Sequence, residues 1–136
     1  MNIDKFKQQH VDILGNIATL RKLTQAGVAQ NAPDIARLVV AMSSTIKLHL
    51  AVEDKVLYPA LQNGQNVAMA RMGKQFQEEM SVIAHTYEGF AQRWNTAHSL
   101  QHHEDDFRAD ANIVLRTLHE RMQRENRDFY PRIEAL

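Results

Sequence analysis

Residues 46–59 read IKLHLAVEDKVLYP, the end of an apolar helix that sets His49 and Glu53 where apolar residues belong. Winding the segment at about 100° per residue with His49 at zero brings Ile35, Met42, Ile46 and Glu53 within about 60° of it. Leu38, Val39, Val56 and Leu57 fall at the edges of the same stripe. An imidazole and a carboxylate therefore lie one turn apart on the face that turns inward. A carboxylate buried without a partner is strongly unfavourable, and an unpaired imidazole is unfavourable too, so something must satisfy both. A bound metal ion would do so; a hydrogen-bonded His–Glu pair inside a helical bundle is the plainer alternative.

Outward from this stretch, only five Gly and three Pro punctuate the 136 residues, and the apolar positions recur at helical rather than strand spacing. The pattern predicts an all-α fold of four helices. The first runs from about Ile3 to Gln25, with Ile3, Phe6, Ile13, Leu14, Ile17 and Leu20 inward, and the segment AGVAQNAP breaks it. The second starts near Pro33 and Asp34, a proline and an acid that suit a helix amino terminus, and is expected to stop before Pro59. The third runs from about Gln65 to Asn95 with Met72, Phe76, Ile83, Tyr87, Phe90 and Trp94 on one face. After the polar turn AHSLQHHEDD, the fourth runs from about Asp105 to Tyr130 and closes before Pro131, with Phe107, Ala111, Val114, Leu115, Leu118, Met122 and Phe129 inward. Short connections argue for an antiparallel up-down-up-down four-helix bundle in a single domain, residues 1–136.

The other helices also turn polar residues inward. His10 lies in the stripe formed by Ile3, Phe6, Leu14 and Ile17, and His119 and Glu125 occupy opposite shoulders of the fourth stripe. In the third helix Glu79 sits within about 40° of the stripe centre, whereas His85 lies roughly 160° away and should face solvent. In an up-down-up-down bundle, His10, His49, Glu53, His119 and Glu125 all fall within roughly 10–18 Å of one end, counting 1.5 Å per residue. Polar residues buried for unrelated reasons have no cause to share a layer, so the layer favours a metal site over separate pairs.

Composition narrows the chemistry. Sixteen basic and sixteen acidic residues cancel, which gives no support to a nucleic-acid or anionic-membrane partner. The absence of cysteine excludes disulfides, thiolate-ligated zinc, cysteine-bound iron–sulfur clusters and cysteine nucleophiles in this chain. The amino terminus MNIDKFKQQH lacks the apolar run of a signal peptide, and the hydropathy pattern is read as containing no membrane span. A cytoplasmic location is the expectation.

FKQQHVDIL around His10, HLAVEDKVLYP around His49 and Glu53, and LHERMQRENRDFYP around His119 resemble the hemerythrin and HHE cation-binding family across nearly the whole chain. The resemblance implies an antiparallel bundle around a non-haem di-iron centre, with O2 or a related small ligand at an open iron position. It assigns ligand roles to His10, His49, Glu53 and His119. Two departures stand out: the third helix offers no inward histidine, and Gln123 and Arg124 stand where the fourth helix of the family carries its acid. Glu79 and Glu125 are the carboxylates expected to replace them, an ion pair with an arginine such as Arg121 being the plainer alternative for Glu79.

Imidazole and carboxylate donors suit iron, manganese or zinc, and a bundle lined by both is a common setting for a two-metal carboxylate site. Two iron ions per chain are the expectation, iron being chosen through the resemblance. Three function classes follow: a module that carries, stores or senses O2 or NO, an oxidoreductase that consumes peroxide or NO, and a metal-free interaction module. His98, His102 and His103 read as a solvated connection. Tyr58 and Tyr130 end their helices beside prolines, where packing or capping explains them as well as redox chemistry does.

Overall fold

Apolar residues at 3.6-residue spacing, rarely interrupted by glycine, wind into helices along the whole chain. In the computed structural model, which describes all 136 residues, every regular element is helical. Helix α1 (Asp4–Ala26) buries Phe6, His10, Ile13, Ile17 and Leu20. It ends at Gly27, whose φ of +133° is one that side-chain-bearing residues rarely adopt. The Gly27 N–H closes the helix on the carbonyls of Leu23 and Thr24. Helix α2 (Ala32–Val52) opens with Pro33 in its first turn.

The chain does not stop before the prolines as the sequence led us to expect. Beyond Val52 it widens into a π-helical turn (Glu53–Leu57) and continues as α3 (Tyr58–Gln62). Proline has no N–H and its ring crowds the carbonyl four residues earlier. In this chain the turn before Pro59 is widened, with the Tyr58 N–H reaching back to the Glu53 carbonyl. The same device recurs after α6 (Glu104–Arg124), where a π-helical turn (Glu125–Phe129) precedes α7 (Tyr130–Glu134) and its Pro131. Between them lie α4 (Val67–Arg93), capped by the Asn66 side chain on the Met69 N–H, and a short α5 (Ala97–His102), capped by Thr96 on the Ser99 N–H. Helix α5 occupies the segment that reads as a turn in sequence; Leu100 is buried there, while His98, His102 and His103 are exposed.

Neighbouring long helices meet with their residue order reversed. Along α2 and α4, Tyr87 donates to the Val39 carbonyl at 2.8 Å while Gln77, earlier in α4, donates to Asp54 beyond the end of α2. Along α4 and α6, Arg93 donates to Asp110 while Arg121 reaches the Phe76 carbonyl. Lys7 pairs with Glu134 at 2.7 Å, and Glu104 accepts from the Ala29 N–H at the other extreme of the molecule.

The apolar core divides into a larger cluster, from Ile13, Ile46 and Met80 to Met122, and a smaller one around Phe6, Leu57, Phe76 and Phe129. His10 on α1, His49 and Glu53 at the end of α2, and Glu125 after α6 fall between the two clusters. The Ala32–Gln62 stretch is long and apolar enough, by length and composition alone, to cross a membrane, contrary to the sequence reading. Here its apolar face supplies Ile35, Val39, Met42 and Ile46 to the larger cluster.

Candidate metal centre

The polar layer is built on α1, on α2 with its π turn, and on the π turn after α6. His10, His49, Glu53 and Glu125 are all essentially inaccessible to solvent. His10 Nδ1 lies 2.8 Å from Asn126 Oδ1, and His49 Nδ1 lies 2.7 Å from Gln9 Oε1. An amide oxygen only accepts, so each Nδ1 carries the ring hydrogen and donates it. Both Nε2 atoms are left with bare lone pairs, and these sit 3.1 Å apart. No proton is available to join them.

The carboxylates complete the convergence. Glu53 Oε1 lies 3.0 Å from His49 Nε2, and Glu125 Oε1 lies 3.8 Å from His10 Nε2. One donor atom each from His10, His49 and Glu125 falls within 4.8 Å of the other two. Glu53 Oε1 and Glu125 Oε2 are buried with no hydrogen-bond partner, an arrangement that is unfavourable unless a cation engages them. Tyr130 Oη lies 3.0 Å from His10 Nε2 and donates to Glu53 Oε2 at 3.3 Å. The Tyr58 hydroxyl is buried and likewise unpartnered.

Low-dielectric surroundings select against each charge in the layer. Burial pushes Glu53 up to about 7 and Glu125 up to about 7, the charge of Glu53 adding to the rise at Glu125. Burial pulls His10 down to about 4 and lowers His49 as well. Neutral imidazoles with free lone pairs beside carboxyls that need a cation to ionise are the donor chemistry of a metal site. The amides of Gln9 and Asn126 hold each ring in the tautomer that leaves Nε2 free for a cation.

Of the residues expected from sequence, His10, His49, Glu53 and Glu125 are brought together, and His119 and Glu79 are not. His119 is half-buried on the outer shoulder of α6, because Leu118, Arg121, Met122 and Glu125 take the inward stripe. Glu79 is 36% exposed and pairs with Arg121 at 3.1 Å and Arg124 at 2.8 Å, so its charge is already matched. His85 is exposed, as its position on the helical wheel implied. The sequence reading missed Gln9, Asn126 and the Tyr130 hydroxyl, and it named Arg121 only as the alternative partner of Glu79, the pairing found here. Arg121 alone carried a readable signal: it lies three residues after Leu118 and four before Glu125, on the inward stripe.

Neither a curated protein nor a solved structure matches the chain. A family model, that of the hemerythrin HHE cation binding domain, matches residues 1–133. With nearly its whole length matched, and with buried histidine and glutamate donors converging between its helices, the chain belongs to the hemerythrin HHE cation-binding domain family.

Proposed function

We propose that this single domain is an up-down-up-down four-helix bundle whose polar layer holds non-haem iron, and that it binds a small diatomic ligand, O2 or NO. The observation that carries the proposal is the pair of bare imidazole nitrogens, 3.1 Å apart, facing one another beside two orphaned carboxylate oxygens. Iron, rather than manganese or zinc, follows from the likeness of the His10, His49 and Glu53 motifs to hemerythrin. Bound iron would supply a redox-active cation with a coordination position for the diatomic ligand.

The chain's own residues would do the rest. His10, His49, Glu53 and Glu125 hold the ion, and Gln9 and Asn126 orient the imidazoles. The apolar clusters on either side keep water from the layer. Four donors suit one ion; the two ions expected from sequence would call on His119 and Glu79, which lie outside the layer or are already paired. An oxidoreductase that consumes peroxide or NO is the second reading. Tyr130 favours it, since its phenol donates to Glu53 Oε2 and can hold or move a proton there.

Anoxic loading with ferrous iron, followed by metal analysis and absorption spectra before and after air, tests the proposal. Near-stoichiometric iron that is lost in H49A and E53Q is expected. Iron content far below one per chain after loading would overturn it. Repeated oxygenation cycles then separate a carrier, which returns unchanged, from a consumer, which turns over only with an electron donor.

A further inference from the structure

The polar layer contains one buried cation of its own. Arg121 is 3% exposed, and each face of its guanidinium meets a fixed partner. Nε donates to Glu125 Oε1 at 3.2 Å, one terminal nitrogen donates to Glu79 Oε2 at 3.1 Å, and the other donates to the Phe76 carbonyl. Its Cζ lies 4.5 Å from the centre of the Phe76 ring. Arginine keeps its charge at any working pH, and its planar fork locks the carboxylates it binds. Glu125 Oε1 therefore faces the guanidinium on one side and His10 Nε2 on the other, while Oε2 is unpartnered. Such a carboxylate spans two cationic positions, and the chain itself fills one of them.

We infer that the Arg121 guanidinium stands in the place of a second metal ion, so that the centre takes one divalent cation per chain, held by His10, His49, Glu53 and Glu125. The inference rests on the metal-binding reading above and sets its stoichiometry. Charge supports it: Glu53 and Glu125 together match one dication, and Arg121 pairs with Glu79, which it shares with Arg124. A second dication beside the guanidinium would find no buried carboxylate left to balance it, and burying unbalanced charge is strongly unfavourable. Donor supply agrees, because His10, His49, Glu53 and Glu125 are the only buried histidines and carboxylates.

Titration of the full chain with Co2+, read by native mass spectrometry and elemental analysis, tests the assignment. Saturation at one ion per chain is expected, with the magnetic signal of an isolated high-spin ion. Saturation at two would overturn the Arg121 assignment and leave the metal-binding reading standing; no binding at all would sink both. R121K keeps the charge and should still saturate at one. R121H removes the permanent charge and places an imidazole beside Glu125 and Glu79, so saturation should rise to two. A plateau of one in R121H with its circular dichroism intact, or of two in R121K, would overturn the inference. Should R121H fail to fold, the wild-type and R121K plateaus decide the matter.

Discussion

Gln9 and Asn126 turn two buried imidazoles into a matched pair of donors. Removing either amide frees a ring to rotate or to move its hydrogen to Nε2, the atom that must stay bare. Second-layer partners of this kind are worth about 10–100-fold in metal affinity. Gln9→Leu should therefore weaken metal binding by about that factor without loss of helix, as a chelator competition would measure. Protonation acts on the same atoms. Glu53 and Glu125, raised to about 7 by burial, hold protons below that pH and must release them to bind a cation, whereas His10, lowered to about 4, is already neutral. Metal affinity should fall as pH drops below about 7, with protons released on binding at pH 6 and fewer at pH 8. Calorimetry in two buffers of different ionisation enthalpy checks this, and release that does not depend on pH would contradict it. For stability without metal the signs oppose. The raised carboxyls favour folding below their unfolded pKa near 4.5, and that contribution is lost as pH rises through about 7. Lowered His10 favours folding above its unfolded pKa near 6.5, and that contribution is lost as pH falls toward about 4.

Each π turn begins at a buried glutamate of the polar layer and leads into a Tyr-Pro pair, EDKVLYP at 53–59 and ENRDFYP at 125–131. One added residue in the turn shifts the helical phase by about 100°, and such bulges gather at functional sites. The shift leaves Glu53, Leu57 and Tyr58 buried together while Val56, placed at the stripe edge by a regular wheel, is 54% exposed. Pro59→Ala restores an N–H and relieves the crowding that widens the turn. Lower metal occupancy with helix content retained is expected from metal analysis and circular dichroism, and unchanged occupancy would detach the turn from the site. Helix α4 meets the second π turn through Phe76, stacked on Phe129 with ring centres 4.3 Å apart and lying under both Arg121 and Arg124. Phe76→Ala removes that stack and should cost about 3–5 kcal/mol in denaturant unfolding.

Across the whole molecule the polar layer is a weak band between two apolar clusters, since its orphaned oxygens and facing lone pairs oppose close packing. A cation that binds the folded chain alone stabilises it by mass action, about 2.7 kcal/mol at a free concentration one hundred times Kd. For a domain of this size that corresponds to a rise of roughly 5–15 °C in the unfolding midpoint. The rise should be reversed by a chelator and be absent in Glu53→Gln. An equal midpoint with and without metal would show that the layer is satisfied without an ion.

The helices, their inward faces and the anomaly of His49 beside Glu53 were legible in the sequence, because helical periodicity is local and the cost of burying a polar group attaches to the residue itself. His10 and Glu125 could be read for the same reason. Only the tertiary structure decided which inward-leaning groups converge. Glu79 lies near the stripe centre yet is taken by Arg121 and Arg124, two residues more than forty positions away. His119 and Glu125 stand on opposite shoulders of one stripe, and packing of α6 against α1 and α4 turned in the second and not the first. The imidazole tautomers depend on Gln9, from a neighbouring helix, and on Asn126, from the opposite end of the chain. Ligation is set where side-chain tips meet, to within a few tenths of an ångström. That position sums helix phase, the extra residue of each π turn and the competition among partners, none of which a single helix contains.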